Sequence, residues 1–65
     1  MDPLFSQRMA KVVNSPFFLD QPPGFKEKFI DRVSKVDLFT DLTDNDKEIV
    51  VKAEKAIKQG KSPWN

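Results

Sequence analysis

Residues 42–60 read LTDNDKEIVVKAEKAIKQG, and this stretch decides the fold because it has a start signal, a sustained period and a stop signal. Thr43 or Asp44 can accept hydrogen bonds from the free N–H groups of a first helical turn. Asp44, Asp46 and Glu48 put negative charge near the positive end of the helix dipole. Lys52, Lys55 and Lys58 put positive charge toward its negative end. Gly60 suits the left-handed residue that closes a helix, and Pro63 blocks a restart. A helix over 44–59 follows. At 100° per residue Ile49, Ala53, Ala56, Ile57 and Gly60 share one face, with Val50 at its edge. The small residues make that face shallow enough for another helix to approach closely. Lys47, Lys52, Lys55, Lys58 and Lys61 spread over the opposite half, and Val51 falls among them. A self-contained fold does not use Val51, so a partner covering this helix would meet it there.

Working upstream, residues 37–41 (DLFTD) form a connection in which Leu38, Phe39 and Leu42 look like anchors to a core. Leu42, just before the cap, is placed to staple onto the first turns of the helix. A second helix is predicted over 25–36, where Phe25, Phe29, Val33 and Val36 recur on one stripe and Ile30 widens it. Residues 15–24 (SPFFLDQPPG) form a Pro-rich loop. Pro22-Pro23 enforces an extended backbone that Gly24 releases. Within the loop, Phe17, Phe18 and Leu19 either plug a small helical core or dock onto another protein. In an extended segment adjacent side chains point opposite ways, so Phe17 and Phe18 would not both enter the core. A first helix is predicted over 3–14, with Asp2 as cap and Pro3 at its first position. Phe5, Met9, Val12 and Val13 share its apolar face. Ser15-Pro16 ends it, because a residue before proline is pushed out of the helical region. Downstream, the tail 61–65 carries Trp64, which either folds back over the helix end or anchors into a partner.

Composition narrows the chemistry. The 65 residues include no Cys and no His, which removes disulfides, thiolate zinc sites and imidazole-bound metals. They make one small domain at most, with a marginal core. Charged residues are 32% of the chain and the net charge is +1, so no global field draws in nucleic acid or an anionic membrane. Six Phe and one Trp are too many for a disordered tail. The longest apolar runs are residues 17–19 and 49–51, which leaves no membrane span and no signal sequence, and places the chain by default in the cytoplasm or within a virion or other assembly.

Catalysis lacks its common bases and nucleophiles, and three short helices hardly enclose a cleft that excludes water. Residues 37–48 have the length of an EF-hand loop and end in Glu48. Phe39 and Leu42, however, stand where that loop needs an oxygen ligand and a glycine. The acidic residues are better read as helix caps. A phosphate-contacting face built from Lys52, Lys55, Lys58 and Lys61 is partly neutralised by the Glu48–Lys52 and Glu54–Lys58 pairs.

These observations predict an all-α fold, a small three-helix domain in which the second and third helices pair antiparallel and the first lies across them. The alternative is a helical hairpin with an extended N-terminal arm. The predicted function is a non-enzymatic protein–protein interaction module: an adaptor, modulator or subunit of a larger assembly, of the kind common in phage and viral genomes. It needs no cofactor, metal, membrane or small-molecule substrate. The partner is another protein or further copies of the chain, engaged through Phe17, Phe18, Leu19, Val51 and Trp64. The alternative is weak nucleic-acid binding through the four lysines named above.

Overall fold

Four α-helices and one 3-10 turn account for the architecture in a computed structural model, which describes residues 2–59. Helix α1 spans Pro3–Val13, α2 Pro16–Leu19, α3 Phe25–Val33 and α4 Asp44–Lys58, with the 3-10 turn at Phe39–Asp41. The fold is all-α.

Local chemistry sets most of the boundaries. The Asp2 side chain accepts a hydrogen bond from the Leu4 N–H at 2.8 Å, and Pro3 takes the first helical position of α1. The Asn14 amide closes α1 by donating to the Ala10 carbonyl at 2.8 Å. Gly24 caps α3 at φ 92°, a left-handed conformation that costs glycine little and any other residue more. Thr43, not Asp44, caps α4, its hydroxyl accepting from the Asp46 N–H at 3.2 Å. Gln59 ends α4 and its N–H donates to the Lys55 carbonyl at 2.9 Å. Gly60, Lys61, Pro63 and Trp64 lie outside the described residues.

The expected Pro-rich loop needs correction at its start. Residues 16–19 form a helical turn, not an extended strand, with Ser15 before it and Pro16 at its first position. This is the arrangement that opens α1, and proline is tolerated there because its missing N–H has no partner to lose. Helical geometry lets Phe17 and Phe18 sit side by side, with ring centroids 5.3 Å apart and nearly perpendicular. Phe18 is buried and Phe17 packs half-buried against the core. Phe25 and Phe29 complete the cluster, lying 5.5 and 5.2 Å from the Phe18 ring. Such tilted and edge-on pairs add about 0.5–1.5 kcal/mol each beyond the area they bury.

The core collects Phe5, Met9 and Val12 from α1, Phe18 from α2, Phe29 and Val33 from α3, and Ile49, Val50 and Ala53 from α4, with Leu42 beneath the connection. Several expected core residues are displaced. Val50 is fully buried, whereas Ile57 and Ile30 are exposed, and α3 ends at Val33 rather than 36. Leu38 is exposed and anchors nothing, although Phe39 and Leu42 do pack inward. The helix pairing also differs from expectation. The α4 backbone lies closest to α2 and α1, and α3 lies close to α1. The ion pair from Arg32 to Asp46 ties α3 to α4. The alternative with an extended N-terminal arm does not hold, since residues 3–13 are helical and packed.

Candidate interaction surface

Among the described residues two ion pairs fasten one helix to another, and the first of them borders two surface depressions. Arg8 on α1 donates to Glu54 on α4 through Nε at 2.7 Å and Nη2 at 2.9 Å, a two-pronged contact in which each side chain stays partly solvated. The hydrogen bond from Arg8 is the main reason that the Glu54 carboxyl lies below its ordinary range; burial opposes the shift and the charge of Arg8 adds to it. The Arg8 guanidinium is raised for the same reason, with burial acting against it. Its carbon also stands 4.4 Å from the centre of the Phe39 ring, a cation–π contact that pins the connection to α1. Arg32 on α3 donates to Asp46 at 2.9–3.1 Å, and Asp46 is only 2% exposed. Asp46 is therefore a structural carboxylate inside the α4 cap, held away from solvent by its arginine.

Around Arg8 lie two shallow depressions that share it as a wall. One is lined by Asp2, Leu4, Phe5, Leu38 and Phe39. The other is lined by Lys11, Glu54, Ile57 and Lys58. Leu4 is 76% exposed and Leu38 48%, both lining the first depression, and Ile57, 42% exposed, lines the second, so these three apolar side chains flank Arg8 from α1, the connection and α4 and form a ridge on either side of it. A third depression lies on another side and is lined by Phe17, Gln21, Phe25, Asn45, Glu48, Ile49 and Lys52.

The residues singled out from sequence scatter by comparison. Phe18 is in the core and is not offered to a partner. Phe17 is half-buried at the edge of the third depression, while Leu19 is 74% exposed. Val51 is exposed, in keeping with its place among the lysines, but neither it nor Leu19 lines any of these three depressions. Lys52 is 3.9 Å from Glu48, Lys55 and Lys58 are exposed, and Trp64 and Lys61 lie outside the described residues. The sequence assigns Leu38 and Ile57 to the core and Glu54 to a pair with Lys58, whereas the structure puts the two apolar residues at the surface and Glu54 on Arg8. Leu4 and Arg8 are surface residues to which the sequence gives no role. Leu4 carries a signal, since it falls off the Phe5–Met9–Val12 stripe. Arg8 and Glu54 carry none, being 46 positions apart.

Among the described residues no helix is long and apolar enough to cross a membrane. Comparison with known proteins gives no match, whether among family models, curated proteins or solved structures.

Proposed function

We propose that this chain is a non-enzymatic protein-interaction module, an adaptor, modulator or assembly subunit working in the cytoplasm or within an assembly. It presents the Leu4–Leu38–Ile57 ridge to another protein or to further copies of itself. The observation that carries this is the gathering of three solvent-exposed apolar side chains around one salt-bridged arginine. Contiguous apolar patches on small proteins mark contact surfaces more often than isolated exposed residues do. Among the described residues none of these three side chains belongs to the buried cluster or packs against it.

Nucleic-acid binding through Lys52, Lys55, Lys58 and Lys61 is the second reading, favoured only by the exposed Lys55 and Lys58. Asp44 and Glu48 stand at the end of α4 that a recognition helix turns toward DNA, and would be repelled by its phosphates.

The test is a double substitution, Leu4→Ser with Leu38→Ser, compared with Leu19→Ser. Both proteins should keep the helical circular dichroism of the parent. The ridge variant should lose capture of its partner from a lysate of the native source, and the Leu19 variant should retain it. Capture that survives in the ridge variant, or that fades steeply with salt in the way phosphate contacts do, would contradict the proposal.

A further inference from the structure

Resting on the interaction reading just given, we propose that the ridge accepts an acidic amphipathic helix from the partner. Val50, Ala53 and Ile57 lie on one stripe of α4, at spacings of three and four. Val50 and Ala53 have no exposure at all, yet Ile57 is 42% exposed. In the last turn of α4 the stripe thus reaches the surface, beside α1. Beside Ile57 stand Lys11 and Lys58, and among the described residues neither belongs to an ion pair. The third cation there, Arg8, is already neutralised by Glu54. The depression therefore has an apolar floor and a net positive rim, which is the complement of an apolar side chain flanked by carboxylates.

The neighbouring depression extends the match. Leu4 and Lys11 are seven residues apart on α1, about 10 Å along its axis at 1.5 Å per residue. The two depressions share Arg8 as a wall, and the outermost α1 residues that line them, Leu4 and Lys11, stand about two helical turns apart. A partner helix with apolar residues at i and i+7 would seat one near Leu4 and Leu38 and the other on Ile57. Acidic residues beside the second anchor would face Lys11 and Lys58. This is helix-in-groove recognition with the charge pattern specified.

A fluorescein-labelled synthetic helix with Leu at i and i+7 and Glu beside the second Leu tests this by anisotropy. The controls are the same peptide with Lys replacing Glu, and a single-stranded oligonucleotide. The expected result is saturable binding of the acidic peptide, with the basic peptide about tenfold weaker or worse. Lys11→Glu with Lys58→Glu should reverse that preference. Ile57→Ser should weaken the acidic peptide about tenfold. All three positions are exposed, and circular dichroism should show each variant folded. Equal binding of the two peptides, binding of neither, or binding of the oligonucleotide alone would overturn the inference. If neither peptide binds while the Leu4→Ser, Leu38→Ser pair still abolishes capture, the interaction role survives and only the acidic-helix partner falls. If capture itself is unaffected, the interaction role falls on its own account.

Discussion

Glu54 and Asp46 each hold an arginine from another helix, but they differ in how much water reaches them, and that sets what each contact is worth. The Arg8–Glu54 pair is more than a third exposed on both sides. Screening limits it to about 0.5–1 kcal/mol despite its good geometry, and a double-mutant cycle with Arg8→Ala and Glu54→Ala should return a coupling in that range. Its pH dependence has a definite sign. Because the folded carboxyl is held below its ordinary value of 4.5, the contribution is present above that value and is lost as pH falls through the lowered one. The urea stability of the parent should therefore converge on that of Glu54→Gln as pH drops below 4.5, and stay separated from it at neutral pH. Asp46 behaves differently. Arg32→Ala would strand a carboxylate that is 2% exposed, at a cost of about 2 kcal/mol or more. Arg32→Ala should destabilise more than Arg8→Ala in the same titration.

At the scale of elements, caps and prolines do most of the placing, and they also show where sequence is readable. Asp2-Pro3, Gly24 and Thr43 act within a few residues of themselves, so the starts of α1, α3 and α4 are legible in the sequence alone. Thr43→Ala should cost about 1 kcal/mol by the loss of its bond to the Asp46 N–H. Ser15 is the counter-example. It precedes Pro16 as Asp2 precedes Pro3, but its side chain makes no capping bond and its hydroxyl is buried without a hydrogen-bond partner. Ser15→Ala should leave stability unchanged within about 0.5 kcal/mol, or raise it, where a working cap would lose about 1. The turn α2 is hidden by the company it keeps, since Pro22-Pro23 gives the whole segment the composition of a loop. Ser15-Pro16 also carries two signals at once: it ends α1 and it opens a new helical turn. Helical placement of Phe18 makes a sharp contrast with its neighbour. Phe18→Ala should cost about 3–5 kcal/mol, while Leu19→Ala, at a site 74% exposed, should stay within about 0.5. Thermal melts of the two variants check this directly.

For the whole molecule, the deciding fact is where the bundle stops. Helical periodicity finds which side of α4 is apolar, but it does not show how far along that side the neighbours extend. Val50 and Ile57 share a stripe and have opposite fates for that reason. The all-α class and the general position of the core are thus readable, because they follow from the pattern within each segment. The ridge is not, because it depends on α1, the connection and α4 meeting around Arg8. A chain of this size has little stability to spare, and among the described residues these three exposed apolar side chains lie outside the buried cluster. The most direct measurement is site-specific photo-crosslinking in cells that make the protein. A photoreactive amino acid would replace Leu4, Leu38 or, as a control lining neither ridge depression, Lys26. Adducts to one protein, or to a second copy of the chain, from positions 4 and 38 and not from 26 are predicted. No adduct at 4 and 38, equal adducts at all three, or adducts to nucleic acid alone would contradict the account.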